Sequence, residues 1–194
     1  MASGSYEITD KRILESGKKL FLRNGYERTN LRDLCKAAGV TTGAFYRHFE
    51  DKASIFAALV EEAANGLLTK FDRAEEECFD FIDAGNTEEV WRVSSETITA
   101  FIRYIYAHFE EFKLILCCSG GTKYSDYIDW LVERELRSTY RMFDLLDQKS
   151  VPYHRIAGQE LHMILHAYYA CLFETVLHDF SREEALDSAR SLSE

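Results

Sequence analysis

The chain has 194 residues, 46% of them hydrophobic, enough to build a buried core and to exclude a disordered polar chain. One proline and ten glycines leave few breakers, and no stretch pairs strand alternation with hairpin turns, so an all-α protein is expected. The net charge of −10 argues against a chain that binds nucleic acid along its whole length, but it is unevenly spread: residues 1–52 hold ten Lys/Arg against seven Asp/Glu, and the rest thirteen against twenty-six. Because phosphate attraction is local and screened beyond about 8–10 Å, a basic head on an acidic body permits DNA binding by the head alone.

The opening Met1-Ala2-Ser3-Gly4-Ser5 has neither the basic start nor the apolar core of a signal peptide, so a cytoplasmic location is expected. Behind Asp10, a good N-cap, Ile13, Leu14, Gly17, Leu20 and Phe21 share a helical face up to Asn24-Gly25, a common helix stop. Thr29 and Asn30 can cap a second, short helix in which Leu31, Leu34, Cys35 and Ala38 lie together, closed by Gly39. Val40-Thr41-Thr42 leads into a third helix expected from Gly43 to Phe49, with Phe45 and Phe49 directed to the core. Asp51 then caps a much longer helix with Ile55, Phe56, Leu59, Val60 and Ala63 on one stripe. Two short helices joined by a glycine-containing turn match the helix-turn-helix pattern, whose second member, here 42–48, enters the major groove.

Asn86-Thr87-Glu88-Glu89 offers an N-cap and capping box for a fifth helix carrying Ile98, Phe101, Ile102 and Ile105. A short sixth runs from Phe112 to Cys118, and a seventh from about Lys123 to Gln148, before Pro152. The eighth, about His154 to Asp179, is apolar nearly all round between Met163 and Phe173 and must be covered on more than one side. It is interrupted by His162, His166 and Glu174, and so falls short of the roughly 18 apolar residues of a membrane span. Ser181-Arg182-Glu183-Glu184 is a capping box for a ninth helix. The expected architecture is a three-helix helix-turn-helix domain over residues 1–52 and a helical bundle over residues 53–194.

The stretch Ala37-Ala38-Gly39-Val40-Thr41-Thr42-Gly43-Ala44-Phe45-Tyr46-Arg47-His48-Phe49, followed by Lys52, resembles the DNA-binding signature of the TetR family, and the resemblance extends over roughly residues 8–60. It implies a dimeric regulator, commonly a repressor, released from a palindromic operator on double-stranded DNA by a small-molecule effector. The residues themselves suggest roles. Thr41 and Thr42 open the third helix and can anchor phosphates or read bases, Gly43 permits close approach, and Ala44 can touch a thymine methyl. Tyr46 and His48 are left toward the groove once Phe45 and Phe49 turn inward, and Lys52 is expected to grip the backbone from the first turn of the fourth helix. The resemblance adds Thr29 on the phosphates.

The same resemblance implies that the last two helices pair with their twins, with Leu165, Tyr169, Leu172 and Val176 at the dimer interface. Phe71, Trp91, Phe101, Tyr104, Tyr124, Tyr127 and Tyr168 supply the aromatic surface for a small apolar or aromatic effector. His162 and His166 stand four apart but have no third metal ligand, and the five cysteines show no metal-finger spacing and are read as reduced thiols. No nucleophile elbow or phosphate-cradling glycine loop is present, so neither a cofactor nor an enzymatic activity is expected. Two alternatives stay open: a DNA-binding dimer without an effector, and a redox regulator acting through Cys117 and Cys118.

Overall fold

A computed structural model describes the backbone of residues 2–193, and the side chains of these except 2–5, 91, 94, 95 and 191–193. The described residues form nine helices and no strand: α1 (Ala2–Asn24), α2 (Leu31–Ala38), α3 (Thr42–Phe45), α4 (Lys52–Asp83), α5 (Thr87–Ala107), α6 (Phe109–Cys118), α7 (Tyr127–Gln148), α8 (Gly158–Leu177) and α9 (Arg182–Ser193). The fold class is the all-α arrangement expected. They gather into two compact units, one of residues 1–64 with 109–125, the other of residues 65–108 with 126–194. The first unit therefore takes in the opening turns of α4 and the whole of α6.

Local chemistry sets most of the helix ends. Asn30, not Thr29, caps α2, its side-chain oxygen accepting from the Asp33 amide at 2.8 Å. The helix ends at Gly39, whose φ of +64° is left-handed, and a Cβ there would fall 2.5 Å from Arg12 Nη2. Asp51 and Ser54 cap the start of α4 reciprocally, and Ser181 and Glu184 do the same for α9. Asn86 departs from expectation, since its side chain makes no cap hydrogen bond to α5.

Other boundaries differ: α6 begins at Phe109 and not Phe112, α7 at Tyr127 and not about Lys123, and α8 at Gly158 and not about His154, and the ends of α1 and α3 differ further. Helix α1 begins eight residues before Asp10. No proline stands from Ala2 to Thr9, and Asp10 sits inside the helix with its carboxylate on His48. Helix α3 stops at Phe45 instead of reaching Phe49, because the Arg47 and His48 amides bond three residues back, to Ala44 and Phe45, and wind 46–48 into a turn.

In the first unit Ile13, Phe21, Leu34, Phe45, Ile55, Phe56, Val60, Phe112 and Leu114 are fully buried, with the Phe21 and Phe56 rings edge to face at 5.3 Å. Helix α6 is tied to α1 through Lys18, which reaches Glu111 at 2.9 Å and Glu110 at 2.5 Å. The second unit packs α7 on α8 and α5 on α9 around Leu131, Val132, Phe173, Val176 and Ala185. Tyr106 ties α5 to the end of α8, its hydroxyl lying 3.2 Å from the Thr175 carbonyl and 3.0 Å from that of Phe180.

Candidate nucleic-acid interface

The helix-turn-helix of α2 and α3 presents a short outward edge. Thr41 is the N-cap of α3, and its hydroxyl oxygen accepts from the Ala44 amide at 3.1 Å, leaving its own O–H to donate outward. Thr41, Thr42 and Gly43 are exposed, Ala44 is half-buried, and Tyr46 is 57% exposed although it directly follows the fully buried Phe45. No side chain stands within 4 Å of where a Gly43 Cβ would be, so that backbone is open to close approach. Five of the eight residues expected at DNA thus form one continuous accessible edge, 41–46, interrupted only by the anchoring Phe45.

The other three turn inward. Thr29 is 2% exposed, and its hydroxyl donates to the Gly25 carbonyl at 2.8 Å, closing the α1–α2 loop. Lys52 directs its ammonium to the carbonyls of Tyr26 (2.7 Å) and Thr29 (2.8 Å) and lies 4.0 Å over the Tyr26 ring. Burial holds its pKa below the usual lysine value, with Glu27 pulling the other way. The His48 side chain is 7% exposed and packed on α1. Each of these polar groups is consumed in holding the motif together. Sequence reasoning overlooked Arg32, Lys36 and Arg47, which are exposed on α2 and on the turn after α3 and offer the phosphate-seeking charge that Lys52 does not. The positive balance of residues 1–52 was their only signal.

The residues expected at a dimer interface, Leu165, Tyr169, Leu172 and Val176, are buried in the chain's own core, none more than 8% exposed. They make up one face of α8, and its other face leaves Met163 (64% exposed), Ile164 (45%) and Leu177 (37%) in the open, with Ala167 and Cys171 also exposed.

The described members of the aromatic set expected around an effector are spread over both units. Phe71, Phe101 and Tyr127 are buried in the second unit, where Tyr104 packs against Gly66. Tyr124 belongs to the first unit, its hydroxyl 3.5 Å from Glu61. The Trp91 side chain lies outside the described residues. Tyr168 sits beside Tyr169, whose hydroxyl donates to the part-buried Glu135 carboxylate. Burial raises the pKa of Glu135, and burial with the Glu135 charge raises those of both tyrosines. Of the described members of the set, Phe101 borders a hollow of about 240 Å³ between α4 and α5 with Lys70, Arg73, Glu77 and Thr97. A second, of about 490 Å³ between α4 and α7, is lined mainly by Glu76, Phe79, Asp80, Arg141 and Asp144.

Among the described residues no group of three His, Cys, Asp or Glu could hold a metal, and no helix is long and apolar enough to cross a membrane. Cys117 is exposed, while burial pushes the neighbouring Cys118 thiol up, which opposes thiolate formation there.

Residues 13–59 match the family model described as bacterial regulatory proteins, tetR family. The chain is similar to the HTH-type transcriptional regulator AcrR of Shigella flexneri, 43% identical over 53 residues, which are 27% of this chain and 25% of that protein. It is also similar to the HTH-type transcriptional repressor AcnR of Corynebacterium efficiens, 37% identical over 65 residues, 33% of this chain and 35% of that protein. The matched stretch thus spans between a quarter and about a third of the length of these two curated relatives. The fold resembles that of a transcriptional regulator from Aquifex aeolicus VF5, with a TM-score of 0.61 at 19% identity over 94% of this chain and 96% of that one. The TetR-family regulator PfmR of Thermus thermophilus gives 0.61 at 22% identity over 94% and 91%.

Proposed function

We propose that the chain, whose residues 13–59 match the tetR family model, is a TetR-type sequence-specific DNA-binding transcriptional regulator of the cytoplasm, a repressor released from its operator by a small molecule. The observation that carries this reading is the accessible edge from Thr41 to Tyr46, where two hydroxyl side chains, an open glycine backbone and an exposed tyrosine follow one another over a core anchored by Phe45. Such an edge supplies donors for phosphates and a surface for base edges. Arg32, Lys36 and Arg47 add the sequence-independent attraction. That AcnR is a repressor supports repression over activation. Functionally, residues 1–52 read DNA and residues 53–194 sense the effector and dimerise.

The operator is a palindrome read by a homodimer, with recognition elements about 34–36 Å apart. The exposed face of α8 suits the twin: Met163, Ile164, Ala167 and Cys171 form an apolar stripe that burial between two copies would remove from water, with Leu177 beyond the Glu174–His178 pair. The effector site belongs to the second unit. The aromatic content there and the hollow bordered by Phe101 favour a small ligand with an apolar or aromatic body.

Selection of tight binders from a randomised duplex pool, run with the wild type and with Tyr46→Ala at moderate salt, tests the central claim. The wild type is expected to enrich a palindrome and the variant to lose it while melting at the same temperature. No enrichment by either protein, or equal enrichment by both, refutes the assignment of this edge to DNA.

A further inference from the structure

Residues 46–48 follow a helix of only four residues, and a single helical turn has no stability of its own, so something outside it must hold it in shape. Phe45 does this from below. From the side it is done by α1, in turns that precede residue 13, where the match to the family model begins. Tyr6 and Asp10 stand one turn apart on α1 and so face the same way. The Tyr6 hydroxyl donates to the Arg47 carbonyl at 2.9 Å, and its ring stacks on the His48 imidazole at 4.0 Å between centroids, 27° from parallel. Asp10 meets the same imidazole from its own side, Oδ1 lying 2.6 Å from Nδ1. Two residues further along, Arg12 donates to the Ala38 carbonyl at 2.7 Å, at the other end of the motif. Three contacts therefore converge on Arg47 and His48, the two residues directly after Tyr46.

We propose that Tyr6 and Asp10 are positioning residues for DNA recognition: the first turns of α1 splint the recognition turn through His48 and Arg47, and so set the direction in which Tyr46 and the exposed edge of α3 meet the major groove. This rests on the DNA-binding reading above and adds a specificity element to it. His48 acts as the inward anchor of the splint. Tyr6 and Asp10 touch no base in this account.

The consequence is selective. Phosphate contacts tolerate small changes of orientation, whereas hydrogen bonds to base edges do not, so loosening the turn lowers affinity for the preferred site more than for random DNA. A loss of fold behaves differently, since it removes active protein from both sequences alike and leaves their ratio unchanged.

The test measures the ratio of affinities for the selected operator and for random duplex, with thermal melting recorded alongside, for wild type, Tyr6→Ala, Tyr6→Phe, Asp10→Ala and Tyr46→Ala. Tyr6→Ala and Asp10→Ala are each expected to lower the ratio by about 5- to 10-fold, the worth of one lost hydrogen bond. Tyr6→Phe, which keeps the ring stack, is expected to recover part of it. Combined with His48→Ala, either alanine variant should have a smaller effect than alone. In the DNA-free protein, Tyr6→Ala should also shift the NMR signals of Tyr46 and Thr42. An unchanged ratio in both alanine variants while Tyr46→Ala abolishes discrimination overturns the splint and leaves the DNA reading intact. A wild-type ratio near one overturns both.

Discussion

Replacing Lys52 by Met separates two roles that its position would allow. The structure commits its ammonium to the protein: two hydrogen bonds, at 2.7 and 2.8 Å, to the Tyr26 and Thr29 carbonyls, and a Tyr26 ring 4.0 Å below. Charge-assisted hydrogen bonds contribute about 1.5–3 kcal/mol each and a cation over an aromatic ring about 0.5–2. Part of this is offset by the desolvation that depresses the lysine pKa. The Tyr26 carbonyl still accepts from the Thr29 amide at 3.1 Å after the substitution. A net loss of about 2–3 kcal/mol is therefore expected, read as a lower urea midpoint at unchanged m-value. Among molecules that remain folded, the salt dependence of DNA binding should keep its wild-type slope, whereas losing a lysine from a phosphate would reduce the slope of log K against log salt by about 0.9. An unchanged urea midpoint with a flattened salt slope would refute the structural role and return Lys52 to the DNA.

Burial raises the Glu135 carboxyl above its ordinary range, and the Tyr169 hydroxyl offsets this in part, so the folded second unit binds a proton more tightly than the unfolded chain. Stability from the protonated form is complete below the ordinary glutamate value and is lost as pH rises through the raised one, with a slope of at most about 1.4 kcal/mol per pH unit. Glu135→Gln should accordingly melt higher than wild type near neutrality and converge with it in acid; a difference that does not shrink on acidification towards the ordinary glutamate value counts against this. On α8, Ile164→Asp is expected to convert the dimer to a folded monomer by light scattering, because Ile164 is 45% exposed in the single chain. Leu165→Asp, which puts a charge at a position only 8% exposed, should instead unfold the second unit. A folded Leu165→Asp monomer beside an intact Ile164→Asp dimer would reverse the assignment of the two faces.

Much of the first fifty residues was legible because their signals are local. The Asn24-Gly25 stop, a cap at Thr29 or Asn30, the closing Gly39 and the Asp51 cap each depend on residues within one turn of each other. The exposed edge from Thr41 to Tyr46 follows from the same local geometry once Phe45 is directed inward. The extent of α1 was less legible, since Asp10 reads as a cap when only its neighbours are considered and becomes an interior residue through His48, 38 positions away.

What the sequence by itself determined was therefore the all-helical class, one end of most helices, and a helix-turn-helix with a hydroxyl-rich leading edge, all of them consequences of short-range backbone chemistry and periodicity. Tertiary structure decided which polar side chains remain available. Thr29, His48 and Lys52 have the right chemistry for DNA, but the local Gly25 carbonyl satisfies Thr29, and carbonyls and a carboxylate from more than 20 positions away satisfy Lys52 and His48. It also decided between the two apolar faces of α8. Leu165, Tyr169, Leu172 and Val176 form one, and Met163, Ile164, Ala167 and Cys171 the other. Periodicity defines both faces equally well, and only packing against α7 selects the one that goes inside.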